Sequence, residues 1–371
     1  MIEVMTEAMT SRSATLTTGL ASAPGPAPAP SGPAPAAVAP DLLGEPWVAR
    51  RIPVTDSPAA PGADHAVLVH QRQADPALTG GVPRHERAVL YIHGRNDYFF
   101  QTHVAQAFLD AGYEFYGLDL RACGRAGTGY RSPHDVRDPR VHDEEIGEAL
   151  RIIRSEHGHR LVVLHGHSTG GLQAVLWAAD HPGSVEAVVL NSPWLDLNAS
   201  AFFRSYGSAL TELIARRDPD RVIGDPGDDG SGDGYAHALH QAWGGEWDWD
   251  LTLKPSPSFP VRAGFLAGIR RAQRDVHHGL GIEVPVLLCC STASGPPNAT
   301  VEEARRSDVV LSVEQMIARA PFLGADVTVR QIPDGVHDLA LSLPPVRAEY
   351  LDAVTGWLEA RLGPATTRDH I

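Results

Sequence analysis

The sequence predicts an α/β fold in which helices cover both faces of a mostly parallel central sheet. Short apolar runs typical of buried strands alternate with segments of helical periodicity through most of the chain. The alternation stops once, between residues 194 and 280, and then resumes. Because 371 residues with 43% apolar side chains can bury a large core, we expect one sheet that is built from two parts of the chain and carries an inserted cap.

The first 40 residues differ in composition from the rest of the chain. Residues 21–40 read ASAPGPAPAPSGPAPAAVAP and offer few side chains that could be buried. Such Ala/Pro-rich sequence favours polyproline-like or disordered backbone. We therefore predict a disordered tail at residues 1–40.

The first part of the core is predicted to occupy residues 41–193. Apolar runs bounded by polar or turn-forming residues predict strands at 47–54, 66–71, 87–94, 113–120, 161–164 and 185–191. Apolar residues at helical spacing predict helices at 104–111, 143–157 and 172–180. Parallel strands joined by helical crossovers explain this order.

The rest of the chain is predicted to hold the cap and the second part of the core. Residues 194–280 are rich in Gly, Asp, Pro and Trp, and we interpret them as a cap or lid insertion. Residues 281–371 complete the core, with strands VPVLLCC and ADVTVRQI, a helix at 313–320 and an amphipathic helix at 345–362.

Composition limits the partners and the compartment. A net charge of −14 disfavours nucleic acid and anionic membrane surfaces. No apolar stretch approaches the roughly 20 residues that span a bilayer, so we expect no stable membrane insertion. Three cysteines (Cys123, Cys289 and Cys290) are too few for a disulfide framework, and no convincing secretion signal is present. We expect a cytoplasmic protein.

The stretch HGHSTGG, residues 165–171, is the main candidate for a catalytic motif. It follows the apolar run 161–164 and precedes the helix-forming sequence GLQAVLWAA. A G-x-S-x-G segment between a strand and a helix is typical of a sharp turn that exposes a nucleophilic serine. We therefore predict that Ser168 is a nucleophile rather than an ordinary turn residue.

A serine hydroxyl needs a base, and the base in turn needs an acid that orients it. His337 is the best-placed base because it follows the last predicted strand and precedes the last helix. Asp308 is the preferred acid, since it lies beyond the strand VPVLLCC. Four other carboxylates remain as weaker candidates, namely Asp196, Glu302, Glu303 and Asp338.

Attack on a carbonyl also requires N–H donors for the oxyanion. The amide of Thr169, which follows the nucleophile, is one candidate. The amide of Arg95, exposed by the turn after YIHG, is the second.

The segments YIHGRNDYF, GLDLRACGRA, HGHSTGG, SDVVL and GVHD resemble, in this order, the α/β-hydrolase superfamily. The resemblance is to its monoacylglycerol lipase, lysophospholipase and serine aminopeptidase-like branch, and it covers about residues 46–362. It implies an α/β-hydrolase fold, a triad of Ser168, Asp308 and His337, an oxyanion hole of the Arg95 and Thr169 amides, and no metal or organic cofactor.

The resemblance implies a serine hydrolase that cleaves small to medium carboxylic esters through an acyl-enzyme, with a monoacylglycerol- or lysophospholipid-like substrate. Two alternatives remain: a peptide or amide hydrolase of the serine aminopeptidase type, and a hydrolase-fold protein that binds a ligand without turnover. The aromatic residues of the cap could line an acyl pocket or only pack its core: Trp243, Trp247 and Trp249, with Phe202, Phe203 and Tyr206.

Overall fold

A nine-stranded sheet forms the centre of the molecule. The computed structural model describes residues 38–197, 208–223, 232–296 and 298–365. The strands are β1 Val38–Pro40, β2 Trp47–Pro53, β3 His65–Gln71, β4 Arg87–Ile92, β5 Tyr113–Asp119, β6 Leu161–His167, β7 Ala187–Asn191, β8 Val286–Ser291 and β9 Val327–Ile332. Their spatial order is β1-β2-β3-β5-β4-β6-β7-β8-β9.

The sheet is mostly parallel, as the sequence predicts. Strands β4 to β9 pair in parallel with one another. The β1–β2, β2–β3 and β3–β5 pairs are antiparallel. The parallel strands therefore end at one common edge of the sheet, and the loops that follow β4, β6, β8 and β9 meet there. This edge is where ligands bind in open α/β sheets.

Helices cover both faces of the sheet. The described α-helices are Pro76–Thr79, Thr102–Asp110, Asp143–Arg151, Thr169–Asp180, Ser208–Arg217, Gly232–Leu239, Ala263–His278, Val301–Ala304, Val313–Arg319 and Pro344–Leu362. Two separate apolar clusters fill the space between sheet and helices. Cys289 belongs to one cluster and its neighbour Cys290 to the other, because successive strand residues point to opposite faces.

The chain between β7 and β8 adds helices but no sheet strand within its described residues, 192–197, 208–223 and 232–285. The helix Ala263–His278 packs on the main core through Phe265, Leu266 and Ile269. Tyr235 and Trp249 instead pack against Tyr98 and Phe100, which follow β4. Three aromatic residues predicted to belong to this region, namely Phe202, Phe203 and Tyr206, lie outside the described residues.

The predicted tail at residues 1–40 extends too far at its C-terminal end. Val38–Pro40 forms β1 and pairs with Val48, Ala49 and Arg50 of β2. The Ala/Pro-rich composition hides this strand, because backbone pairing at a sheet edge tolerates proline and needs no apolar side chain. Residues 1–37 lie outside the described part of the chain.

Two further expectations can be compared with the described residues. None of their helices combines the length and the apolar character needed to cross a bilayer. All three cysteines are buried free thiols.

Candidate active site

Ser168 lies on a strained turn between β6 and the helix Thr169–Asp180. Its φ of 53° and ψ of −116° are unfavourable for a residue with a side chain. The turn also brings backbones unusually close: a methyl group on Gly166 would overlap the carbonyl of Gly170, and one on Gly170 would overlap the carbonyl of Ile92. The two glycines of the motif are therefore required by the close approach of β6, the helix and β4.

The side chains of Ser168, His337 and Asp308 form a continuous hydrogen-bonded chain. The Ser168 hydroxyl lies 3.0 Å from His337 Nε2, and His337 Nδ1 lies 2.9 Å from Asp308 Oδ2. Because a carboxylate only accepts, Nδ1 carries the proton and Nε2 is left to accept from the serine. All three residues are buried, with Ser168 still 9% exposed.

Asp308 is held in place by its second oxygen. Oδ1 accepts hydrogen bonds from the amides of Val310 at 2.9 Å and Leu311 at 2.8 Å. The predicted long loop after β8 thus folds back so that the carboxylate faces His337. The alternative acids bind other partners: Asp196 to Arg319, Glu302 to Arg306, and Glu303 to Thr300.

Asp338 turns away from its neighbour His337 and enters a separate buried network. Its Oδ1 accepts from Asn191 Nδ2 at 2.7 Å, and its Oδ2 accepts from Gln101 Nε2 at 3.1 Å. Burial raises the pKa of Asp338, but His167, Lys254 and these two amides outweigh it and leave the pKa below its usual value. The network thus connects the loop that carries His337 to the last residue of β7 and to the loop that follows β4.

Sequence reasoning missed the roles of Asn191 and Gln101 in this network. A polar residue that ends the otherwise apolar run AVVLN is a signal that could have drawn attention to Asn191. Gln101 carries no comparable signal, because it does not interrupt an apolar run and its partner lies far away in sequence.

The two histidines that precede Ser168 in the motif, His165 and His167, have partners other than its hydroxyl. His167 Nδ1 faces the carbonyl of Asn191, and its ring lies 4.9 Å from that of His337. Burial lowers the pKa of His167, and it lowers the pKa of His165 to about 3. Both rings are therefore neutral near pH 7, so they add no positive charge beside His337.

The two candidate oxyanion donors lie next to each other. The Thr169 amide is the first of its helix and has no partner within that helix. The Arg95 amide donates to the Thr169 hydroxyl at 2.9 Å. His93 holds the intervening turn, since its Nδ1 donates to the Gly94 carbonyl at 2.7 Å and its Nε2 accepts from the Leu120 amide at 3.2 Å.

The three tryptophans predicted as substrate contacts lie in different settings. Trp249 is buried and donates its indole N–H to the Lys254 carbonyl at 3.0 Å. Trp247 donates to the Leu341 carbonyl at 2.8 Å and so joins the chain between β7 and β8 to the loop after His337. Trp243 is 39% exposed. Their contact with substrate stays a prediction.

Comparison with known proteins identifies one family and several related folds. Residues 83–339, more than half of the chain, match the family described as serine aminopeptidase, S33. A monoacylglycerol lipase of Mycolicibacterium smegmatis is 36% identical over 106 residues, which are 28% of this chain and 37% of that relative. The match thus spans well under two thirds of the relative's length.

Solved structures with the same fold extend over more of the chain. A monoacylglycerol lipase of Paleococcus ferrophilus has 18% identity and a TM-score of 0.56, and the match covers 76% of this chain and 96% of that one. A soluble variant of monoglyceride lipase from Saccharomyces cerevisiae, solved with a substrate analogue, has 14% identity and a TM-score of 0.57. That match covers 84% of this chain and 96% of the yeast protein.

Proposed function

Because this chain belongs to the serine aminopeptidase S33 family of α/β-hydrolases, we propose that it is a serine hydrolase that cleaves carboxylic esters. The proposal rests above all on one observation, the unbroken hydrogen-bonded chain from the Ser168 hydroxyl through His337 to the Asp308 carboxylate. The substrate we propose is a small to medium acyl ester of the monoacylglycerol or lysophospholipid type. The similarity to named monoacylglycerol lipases supports this choice.

In the proposed reaction, the Ser168 oxygen attacks the ester carbonyl while His337 Nε2 takes the hydroxyl proton. The imidazolium so formed is stabilised by the Asp308 carboxylate. Collapse of the tetrahedral intermediate breaks the ester C–O bond, and His337 returns the proton to the departing alcohol. The acyl-enzyme on Ser168 is then hydrolysed by water, which His337 activates in the same way.

The oxyanion of the tetrahedral intermediate is proposed to accept hydrogen bonds from the Thr169 and Arg95 amides. The Thr169 amide is supported by its place at the start of a helix, where N–H groups lack partners. The Arg95 amide is supported by its position against the same residue. Its current acceptor, the Thr169 hydroxyl, must share or yield this N–H when the oxyanion forms.

Two of the three carboxylates in the acidic stretch of residues 246–250 have partners that compete with an aminopeptide substrate. An aminopeptidase needs a carboxylate that is available to bind the substrate's α-amino group. In the acidic stretch of the cap, Glu246 is paired with Arg347 at 2.7 Å, and Asp250 accepts from the amide and hydroxyl of Thr252. Both carboxylates are therefore engaged within the fold. The third carboxylate of the stretch, Asp248, is 76% exposed and lies 3.9 Å from His240 Nε2, so the anilide arm of the test below decides between the two reactions.

The insertion at residues 194–280 is proposed to act as the cap that determines which acyl groups enter. Tyr235 of this segment supports that role, because its ring lies 6.1 Å from the ring of His337. The tryptophans Trp247 and Trp249 are proposed to contribute apolar surface at the same edge. We propose that residues 41–193 and 281–371 together form the catalytic core.

The test is turnover of chromogenic esters from acetate to palmitate, beside an aminoacyl anilide, by the wild type and Ser168→Ala. The variant should fold and lose about 10⁶-fold in kcat, because the remaining groups act only through the nucleophile. Ser192→Ala is the matched control, since Ser192 is also buried and its hydroxyl has no hydrogen-bond partner.

A serine-directed fluorophosphonate gives an independent readout. Mass spectrometry of the labelled protein should place the adduct on Ser168, and His337→Ala should slow the labelling. Activity of Ser168→Ala within tenfold of wild type, or an adduct on another residue, would contradict the proposal. Faster turnover of the anilide than of every ester would instead favour the aminopeptidase.

A further inference from the structure

A second cluster of chemically competent side chains lies far from Ser168. His70 ends β3 with Gln71, Asp75 precedes the short helix Pro76–Thr79, and His157 follows the π-helical turn Ile152–Glu156. We propose that these three residues form a binding site for a divalent transition-metal ion, with Zn²⁺ as the best-suited ion. This inference is independent of the proposed ester hydrolysis.

The three side chains converge in the interior. One potential ligand atom from each lies within 4.8 Å of the other two, and His157 Nε2 is 3.6 Å from Asp75 Oδ1. The residues are 0%, 3% and 2% exposed for His70, Asp75 and His157. The Nε2 atoms of both histidines are buried without a hydrogen-bond partner. Leaving such atoms unsatisfied is costly, so a partner that both nitrogens can bind would stabilise the fold.

The neighbours of His70 fix which of its nitrogens has a lone pair. Its Nδ1 lies 3.0 Å from the carbonyl of Gln71. A carbonyl oxygen only accepts, so Nδ1 of the neutral ring carries the proton. Nε2, which is buried without a hydrogen-bond partner, is therefore the unprotonated nitrogen that can bind a metal ion.

A longer chain of hydrogen bonds fixes the tautomer of His157. His159 Nδ1 donates to the His85 carbonyl at 3.1 Å, so His159 Nε2 accepts from the Tyr116 hydroxyl at 2.8 Å. Tyr116 has a single proton, which it gives to His159 Nε2 rather than to the more distant Ala74 carbonyl at 3.3 Å, so its oxygen accepts from His157 Nδ1, also at 2.8 Å. His157 Nε2 is thereby left with its lone pair facing His70 and Asp75.

The donor set and the spacing suit Zn²⁺. Two imidazoles and one carboxylate, with a fourth position left for water, are common ligands of tetrahedral zinc. Ligand atoms around such an ion lie about 3.3 Å apart, and the 3.6 Å between His157 and Asp75 is close to that value. The hydrogen bonds from each imidazole Nδ1 are of the kind that orients metal-binding histidines.

The position of the cluster separates it from the proposed ester hydrolysis. His70 is in register with Tyr116 of β5, which pairs with Leu90 and through it with Leu164 of β6. Leu164 precedes Ser168 by four residues and lies three strands from His70, so the two sites are roughly 20 Å apart. A bound ion would join β3, the segment after it and the end of a helix, and so stabilise this side of the sheet.

The experiment measures metal binding by the full chain without a polyhistidine tag. The protein is stripped with a chelator and titrated with Zn²⁺ or Co²⁺, and bound metal is counted by elemental analysis. We expect one tightly held ion per chain, a visible Co²⁺ absorption band of a nitrogen- and oxygen-ligated site, and a rise in Tm of about 5 °C with Zn²⁺. Ester turnover at 25 °C should not change after stripping.

Asp75→Asn is the decisive variant because we expect it to fold with the helix start intact. An asparagine oxygen can still accept from the Ala77 amide, as Asp75 Oδ1 does at 2.8 Å, but the charge that binds the ion is lost. Affinity should fall by about 100-fold or more, and His157→Gln should also abolish tight binding. His165→Gln, which removes a buried histidine elsewhere in the sheet, should retain the ion. Failure of the stripped wild type to take up one ion would overturn the inference, as would Asp75→Asn binding as tightly as wild type.

Discussion

At the scale of single residues, the candidate site depends on three side chains that follow three different strands. Ser168 follows β6, Asp308 lies in the loop after β8, and His337 lies in the loop after β9. Each side chain has a second restraint besides the hydrogen bonds that join the three. Ser168 is held by its strained turn, and Asp308 by two backbone amides. The loop that carries His337 is held by the hydrogen bond between Asn191 and Asp338. Restraints of this kind keep the reacting groups aligned before a substrate arrives.

Asp308→Asn tests the acid at this scale. The amide would present its NH₂ group to His337 Nδ1, which favours the tautomer that carries its proton on Nε2, the nitrogen that must accept the serine proton. We expect a fall in kcat of roughly 10⁴-fold with the fold retained. The measurement is steady-state turnover of the best chromogenic ester, with circular dichroism to verify folding.

Asp196→Asn is the matched control for that substitution. Asp196 follows the neighbouring strand β7, but its carboxylate binds Arg319 at 2.7 Å and does not face His337. Turnover should stay within about threefold of wild type, because exposed and partly exposed ion pairs contribute little. If Asp196→Asn were the more damaging of the two changes, Asp308 would not be the acid.

At the scale of secondary-structure elements, a buried ion pair joins the loop after β5 to the helix Asp143–Arg151. The guanidinium of Arg121 is 0% exposed and donates to both oxygens of Glu145: Nη2 lies 2.6 Å from Oε2, and Nε lies 2.9 Å from Oε2 and 3.1 Å from Oε1. His142 lies 2.7 Å from the same carboxylate. Burial raises the pKa of Glu145, but His142 and Arg121 outweigh it and lower the pKa to about 2.

Glu145→Gln should therefore destabilise the protein in a pH-dependent way. The folded-state pKa of about 2 lies below the ordinary value of 4.5, so the carboxylate contributes its stability fully above pH 4.5 and loses it as the pH falls towards 2. A shift of this size corresponds to about 3 kcal/mol at neutral pH. Thermal unfolding between pH 7 and pH 3 should show the largest Tm difference from wild type at neutral pH.

A second glutamate of the same helix provides the control. Glu148 pairs at the surface with Arg151, and Glu148→Gln should lower stability by less than about 1 kcal/mol at any pH. Equal losses for the two variants, or a Glu145→Gln deficit that grows on acidification, would show that the buried pair does not supply this stability.

At the scale of the whole molecule, the described part of the chain has its sheet and both apolar clusters within one compact unit, residues 36–371. We expect residues 36–371 alone to fold, with a Tm within about 2 °C of the full chain and the same kcat/KM, because the sheet and the candidate site are complete within it. Calorimetry and ester turnover of the shortened protein check this.

Removal of residues 1–53 provides the contrast, because it also deletes β1 and β2. The second of these strands pairs along its whole length with β3 and buries Trp47 and Ile52. This shorter protein should fail to fold. A large loss of stability on removing only residues 1–35 would instead show that the first segment belongs to the folded core.

The periodicity of the sequence predicted eight of the nine strands and the mostly parallel sheet, because apolar spacing is a local property that each segment carries by itself. It missed β1, whose three residues are identified only by their pairing with β2. Ser168 was predictable for the same local reason: the strand, the two glycines and the helix that create its turn are contiguous.

The sequence favoured Asp308 among the candidate acids but could not exclude the others, and the buried polar networks could not be predicted in this way. Several carboxylates surround the loop after β8 in sequence, and only the folded loop shows that Asp308 is the one that faces His337. The cluster of His70, Asp75 and His157 was harder still to predict from the sequence. His70 and Asp75 precede β4 in the chain, whereas His157 follows β5. Side chains that are distant in sequence acquire shared chemistry only through long-range packing, and in this protein the tertiary structure alone determined those contacts.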